Sequence, residues 1–103
     1  MPEENPREIP EIRLIPEPVT EAGRSVIGFE YAGDEVGKRH RLGGKPAWIQ
    51  DDETPKCAHC GVVMTFYGQL DSIGSAYAIG DCGMIYVFFC FDCNHAEAAV
   101  QSF

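Results

Sequence analysis

Two Cys-x-x-Cys pairs constrain the fold of this chain more than any other feature of its sequence. The first pair is Cys57 and Cys60, the second is Cys90 and Cys93, and 29 residues lie between the pairs. Two such pairs in one small domain are typical of a tetrahedral site in which four thiolates bind one metal ion. A chain of 103 residues buries only a modest core, so a metal cross-link would help to stabilise it. We therefore predict that these four cysteines are metal ligands.

The residues after each pair give independent support. Gly61 follows Cys60, and Asn94 follows Cys93. A Cys-x-x-Cys turn often needs a left-handed backbone directly after its second cysteine, and Gly and Asn adopt that conformation at the lowest cost. The backbone N–H groups of such turns point at the sulfurs and offset their negative charge.

Disulfides and redox dithiols are the less favoured interpretations. The sequence begins without a basic segment followed by an apolar one, which predicts the reducing cytoplasm, and Cys82 makes the number of cysteines odd. A thioredoxin-type dithiol requires a Cys-x-x-Cys pair that opens a helix, and neither pair precedes a helical pattern. Cys82 is expected to be a loop thiol or a small core residue rather than a nucleophile.

Zinc is the expected metal, and iron is the alternative. Structural tetrathiolate sites are mostly zinc sites. Rubredoxin-like iron proteins have similar spacing, but the turn at residues 90–94 lacks the Pro and Gly that are usual in that family. A closed shell of four sulfurs leaves no position for a substrate, so we expect a structural metal and no enzyme. His59 and His95 are expected to lie beside the site without binding the ion.

The pattern between and after the cysteine pairs predicts strands. Residues 62–70 alternate, residues 84–89 form an apolar run expected to be buried on both faces, and residues 96–103 form a last strand. An antiparallel pairing of the first two strands would bring both cysteine pairs to one end, with residues 71–82 as the connection and a short strand at 76–79. The predicted fold is mostly β, a zinc-ribbon-like antiparallel sheet in one small domain.

Before this domain, residues 1–18 contain five prolines, which forbid a long helix and favour an extended arm. We expect residues 1–8 to be disordered, the apolar residues between 9 and 15 to form an edge strand, and residues 26–31 to form a further strand. The predicted division is an N-terminal arm at 1–18 and a zinc-stabilised β domain at 19–103.

Charge limits the partners. The net charge is −8, which argues against a nucleic-acid binder and against adhesion to an anionic membrane surface. Residues 57–103 contain four acidic side chains and no Lys or Arg. The longest apolar run, residues 84–91, is too short to cross a bilayer. We expect a protein partner, and an acidic surface suits a basic one.

Two further features have competing interpretations. Residues 38–41 (Lys-Arg-His-Arg) form a basic cluster, which we expect to be a solvated loop that balances Asp34, Glu35 and the acidic run at 51–53. The alternative is a contact with phosphate or an acidic partner. Trp48 is expected to anchor the core, with a binding platform as the alternative.

Several of these features occur in an order that resembles two known groups of proteins. They are Gly-Gly-x-Pro-x-Trp at residues 43–48, Cys-x-x-Cys-Gly at 57–61, a strand with Gln69 near its end, and Tyr-Val-Phe at 86–88 leading into Cys90. Over residues 42–93 the chain resembles the YwqG-like family, whose biochemical role is not established, and the zinc-binding N-terminal part of programmed-cell-death-two type ribosome-assembly chaperones. The second resemblance implies escort of a basic ribosomal protein. The predicted function is a non-catalytic, zinc-stabilised protein-interaction module, chaperone-like or an assembly factor for a basic client, and a rubredoxin-like electron carrier is the alternative.

Overall fold

A computed structural model describes residues 8–29 and 35–103, and within them five strands form a single antiparallel sheet in chain order. The described helical segments are one short α-helix and one 3-10 turn, so the prediction of a mostly β domain is confirmed. None of these helices is long and apolar enough to cross a membrane. The strands are β1 (Ile12–Arg13), β2 (Arg41–Leu42), β3 (Thr65–Asp71), β4 (Met84–Cys90) and β5 (His95–Gln101).

The central strands β3 and β4 follow the sequence pattern closely. On β4 the side chains at even positions are buried, while those of Ile85, Val87 and Phe89 are only half-buried. The expectation that this strand is buried on both faces is therefore wrong. In the described part of the chain, no helix or strand other than its sheet neighbours contacts β4 or β5, so no second element packs onto the side of β4 that carries Ile85, Val87 and Phe89.

The covered face packs against the segment that contains Trp48. The Trp48 ring lies 4.5 Å from that of Tyr86 and 5.9 Å from that of Phe88, measured between ring centroids. The Tyr86 hydroxyl donates to the carbonyl of Ala47 at 2.8 Å and accepts the N–H of Ile49 at 3.2 Å. Burial of these aromatic rings together with two satisfied hydrogen bonds fixes the segment over the sheet. Trp48 is thus a core anchor, as expected.

The N-terminal arm is partly tied to the sheet. The expected edge strand is present as β1, which pairs with β2, and the N–H of Leu14 donates to the carbonyl of His40 at 3.1 Å. Gly43 has a φ of 65°, and a Cβ there would lie 2.3 Å from the carbonyl oxygen of Pro10, so only glycine fits this crossing. The disorder expected for residues 1–8 concerns positions that, except for Glu8, lie outside the described residues.

Two predicted strands are corrected by the structure. Residues 26–31 do not form a strand within their described part. Val26 instead caps helix α1 (Glu21–Ser25), and Gly28 makes a single bridge to Gly74; residues 30 and 31 lie outside the described part. Helix α1 was not predicted; the hydroxyl of Thr20 caps it by accepting the Gly23 N–H at 3.0 Å.

The second correction concerns residues 76–79, which were expected to form a short strand. The chain forms a 3-10 helix, Ser75–Tyr77, at this point. The N–H of Ile79 is taken by the side-chain oxygen of Ser72 at 2.9 Å rather than by a neighbouring strand. This connection is therefore held by side-chain hydrogen bonds that alternation of residue types does not encode.

Candidate metal centre

The β3–β4 hairpin brings the two cysteine pairs to the same end of the sheet. The first pair immediately precedes β3, and Cys90 is the last residue of β4. Because Thr65 at the start of β3 is opposite Phe89 at the end of β4, the two turns lie side by side. The Sγ atoms of the four predicted ligands all lie within 4.8 Å of one another. This is the convergence that the antiparallel prediction requires.

The sulfur positions fit a tetrahedral ion. A zinc–sulfur bond of about 2.3 Å implies about 3.8 Å between sulfurs at the corners of a tetrahedron. The Sγ atoms of Cys60 and Cys90, which belong to different pairs, are 3.7 Å apart. In the described residues, no other group of three or more His, Cys, Asp or Glu side chains converges in this way. The cluster can therefore hold a metal ion.

The two Cys-x-x-Cys turns have matching backbone geometry. Gly61 has a φ of 78° and Asn94 a φ of 55°, so both residues are left-handed, as predicted. The N–H of each donates to the carbonyl of the first cysteine of its own pair, at 2.8 Å in both turns. Within the first turn the N–H of His59 also points at the Sγ of Cys57 at 3.4 Å. The His59 amide thus offsets negative charge on the Cys57 sulfur, whereas the Gly61 and Asn94 amides close their turns.

Burial differs within each pair. Cys57 and Cys90 are buried, whereas Cys60 and Cys93 are exposed. Each turn thus contributes one sulfur from the core side and one from the solvent side. An ion held between them would join the end of the hydrophobic core to the two surface turns.

The pKa shifts of three thiols in the cluster differ in direction. Hydrogen bonding from the Cys60 backbone lowers the pKa of Cys57 to about 7. Burial raises the pKa of Cys90, and the hydrogen bond with the Cys60 side chain raises the pKa of Cys93 to about 12. Cys57 thus ionises more readily than a free thiol, whereas burial at Cys90 and hydrogen bonding at Cys93 favour the protonated thiol. A divalent ion reverses that preference, since metal-bound thiols are deprotonated.

The two nearby histidines lie beside the cluster rather than in it. The His59 and His95 rings meet edge to face, with centroids 5.1 Å apart. The Nε2 atom of His95 is 3.1 Å from the Oε2 atom of Glu97. Neither imidazole is part of the four-sulfur group.

Within the basic cluster at residues 38–41, Arg39 is not the solvated side chain that we expect from the sequence. Arg39 donates to Asp71 through Nε and Nη2, both at 2.7 Å, and the Asp71 side chain has no exposed surface. The backbone N–H groups of Gly37 and Arg39 donate to the same carboxylate. The expectation that this segment is a solvated loop balancing local acidic residues is therefore wrong for Arg39, which forms a buried ion pair with a strand residue.

The pKa values of Asp71 and Arg39 are set by burial and by the hydrogen bonds between them. Burial alone would raise the pKa of Asp71, but hydrogen bonds from the Arg39 side chain and from the amides of Arg39 and Gly37 hold the pKa below its usual range. The hydrogen bond to Asp71 likewise raises the pKa of Arg39. A sequence signal was available, because Asp71 falls in a strand where neighbouring positions are buried, and a buried carboxylate requires a partner.

Cys82 lies away from the four-sulfur cluster, as expected for a loop thiol. It is half-buried with a φ of 55°, and its carbonyl accepts the Arg39 Nη2 donor at 3.0 Å.

A curated protein of Salmonella typhimurium (strain LT2), described as the uncharacterized protein YpfL, is 39% identical to this chain over 64 residues. The matched stretch covers 59% of this chain but only 14% of that protein, so the similarity concerns a small part of a much longer relative. No protein-family model matches the chain, and no solved structure matches it. The resemblance to the YwqG-like family and to programmed-cell-death-two type chaperones therefore stays a prediction.

Proposed function

We propose that the chain binds one zinc ion through Cys57, Cys60, Cys90 and Cys93 and that this ion stabilises a non-catalytic protein-interaction domain. The observation that supports it is the convergence of the four Sγ atoms to within 4.8 Å of one another. Four sulfurs fill a tetrahedral shell, so no position remains for a substrate. The metal would cross-link the β3–β4 hairpin at the end where the two cysteine turns meet, and its binding free energy would add to the stability of a small domain.

Metal analysis of the purified protein tests this proposal first. We expect colourless protein with about one zinc per chain. Red protein that contains iron would contradict zinc and support the rubredoxin-like electron carrier, which uses the same arrangement of sulfurs.

A pair of cysteine variants tests the ligand set. Cys93→Ser removes a proposed ligand, whereas Cys82→Ser removes a thiol outside the cluster and serves as the matched control. We expect zinc to be retained by the second variant and lost or greatly weakened in the first. Cobalt is titrated into reduced wild-type protein as well, so that the test does not depend on the folding of Cys93→Ser. Strong thiolate-to-cobalt absorption with the pattern of a tetrahedral ion supports the proposal, and an octahedral spectrum contradicts it.

For the partner, we propose a basic protein that the domain meets in the cytoplasm. The net charge of −8 supports a basic partner. So does the exposed acidic run at residues 51–53, which lies between the segment that contains Trp48 and the first cysteine turn. A surface of one charge attracts an oppositely charged partner and speeds its association. The sequence resemblance to ribosome-assembly chaperones points to the same class of client.

Cross-linking of the tagged, zinc-loaded chain in cells, followed by mass spectrometry, tests this part. We expect enrichment of a basic protein that is lost at high salt and reduced by the double substitution Asp51→Asn with Glu53→Gln. The double substitution Glu17→Gln with Glu21→Gln changes the net charge equally on another exposed segment, and it should leave the enrichment intact. Enrichment that is indifferent to salt and to residues 51–53, or that contains no basic protein, contradicts the proposal.

A further inference from the structure

The sheet has a second face on which no described helix or strand packs against β4 or β5. At the Leu70 end of this face, residues of the N-terminal arm such as Leu14 and Ile15 lie beside β3. We define the outer face as the side of β3–β5 opposite Trp48. The strand register places three directly opposed pairs on it, Ile85 with Val100, Val87 with Ala98 and Phe89 with Ala96. Leu70 pairs with Ile85 on the same side, and the Tyr67 ring contacts that of Phe89 with centroids 6.3 Å apart. None of these side chains is charged, although the chain carries a net charge of −8.

The outer face has a hollow at one end and a projection at the other. The hollow has a volume of about 290 Å³ and is lined by Tyr67, Val87, Phe88, Phe89, Phe91 and Ala96. The projection is Val100, whose side chain is among the most exposed apolar groups of the sheet at 60%. Along β5 the two features are four residues apart, which is about 14 Å. Between them lies the small side chain of Ala98.

We propose that the outer face is the interface of a twofold symmetric dimer with a second copy of this chain. A twofold axis that lies in the interface and crosses the strands at Ala98 and Val87 carries the Val100 of each copy onto the hollow of the other. A twofold interface is self-complementary when a projection and a hollow on the same face lie at equal distances from the axis, on opposite sides of it, because each then meets the other on the second copy. Ala98 at the axis lets the two sheets approach to the spacing of about 10 Å that is usual for stacked sheets.

Charge and area indicate the kind of partner and the strength of binding. A basic protein gains nothing from an uncharged surface, so the basic client proposed above would bind the acidic run at residues 51–53 instead. Three seven-residue strands span a flat area of about 23 by 14 Å. Because side chains make this surface uneven, its accessible area is larger than the flat area, and a dimer would bury on the order of 1,000 Å² from both copies together. This is the lower limit for a specific interface, so we infer a dimer that dissociates on dilution. The inference does not depend on the identity of the client.

Sedimentation of the metal-loaded full chain from about 1 µM to about 1 mM tests the dimer. We expect the dimer fraction to rise with concentration and also with salt, because salt screens repulsion between two acidic molecules. Protein that stays monomeric at about 1 mM overturns the inference and leaves the outer face for a different kind of partner. Association that weakens as salt is added also contradicts it.

Complementary charges at the two features test the geometry. Val100→Lys would place a cation in the apolar hollow, and we expect at least about a tenfold weaker dimer. Val19→Lys makes the same change at a residue just after the arm that is 94% exposed and should have no effect. Ala96→Glu should also weaken the self-dimer, but a mixture of the Val100→Lys and Ala96→Glu chains should form a heterodimer. Each variant is first checked for zinc content and circular dichroism. Unchanged dimerisation by Val100→Lys, or no heterodimer in the mixture, overturns the proposed arrangement.

Discussion

Replacing Arg39 with Met should reveal the energetic importance of the buried ion pair. The substitution keeps much of the apolar stem but removes both donors to Asp71, whose side chain is fully buried while that of Arg39 is 16% exposed. Breaking one side of a buried pair typically costs about 3–5 kcal/mol, because it leaves an uncompensated charge. The amides of Gly37 and Arg39 still donate to the carboxylate, so we expect a value near about 3 kcal/mol. That is a large fraction of the stability of about 5–15 kcal/mol that is usual for a domain.

The pH dependence of stability should change sign with the same substitution. In the wild type the pKa of Asp71 lies below its ordinary value. Its contribution to the free energy of unfolding is therefore complete above the ordinary pKa and is lost as the pH falls through the folded-state pKa. Without Arg39, burial dominates and raises the Asp71 pKa above that of the unfolded chain. Protonation then stabilises the variant, and its deficit should shrink as the solution becomes acidic.

Urea unfolding of both proteins at several pH values measures these differences. The Asp71 end of β3 pairs with Met84, at the opposite end of the hairpin from the cysteine turns, so the zinc content should not differ between the two proteins. The double variant Arg39→Met with Asp71→Leu removes the orphaned charge and should be more stable than Arg39→Met alone. A deficit below about 1 kcal/mol at neutral pH, or one that grows on acidification, would refute the electrostatic reasoning.

Three further predictions concern the core, the connection and the metal. Tyr86→Phe removes the donor to the Ala47 carbonyl and leaves the Ile49 amide unpaired, so urea unfolding should show a loss of about 1–3 kcal/mol. Gly74→Ala places a Cβ 2.0 Å from the carbonyl oxygen of Val26, so thermal unfolding should occur at a clearly lower temperature, whereas Ala76→Ser on the exposed 3-10 helix should change little. Removal of the metal with a strong chelator under reducing conditions should abolish the near-ultraviolet circular dichroism of the aromatic core, and added zinc should restore it. Retention of the full signal in metal-free protein would show that the ion does not stabilise the fold.

The four-cysteine cluster and the β3–β4 hairpin could be predicted from local sequence patterns. Cysteine spacing predicted both turns, and the left-handed residues Gly61 and Asn94 occur where the turn geometry needs them. Strands β3, β4 and β5 follow from alternation and β-branched or aromatic composition, because these patterns reflect short-range backbone preferences and a single buried face. Once two adjacent strands are antiparallel, the meeting of the cysteine pairs follows from chain geometry.

The features that local sequence patterns did not predict depend on contacts between distant parts of the chain. Arg39 meets Asp71 across 32 residues, and nothing in either local pattern selects this partner over the acidic residues nearby. The segment at residues 26–29 has strand-forming composition, yet it makes only one bridge, between Gly28 and Gly74, because no other strand lies alongside it in the described chain. Likewise, the apolar residues on both sides of β4 predicted burial on both, but whether a face is covered is decided by which elements pack against it. Local sequence therefore determined the turns, the strands and the proposed ligands, and the tertiary structure decided which charges pair and which apolar face stays open, since those depend on the relative placement of whole elements.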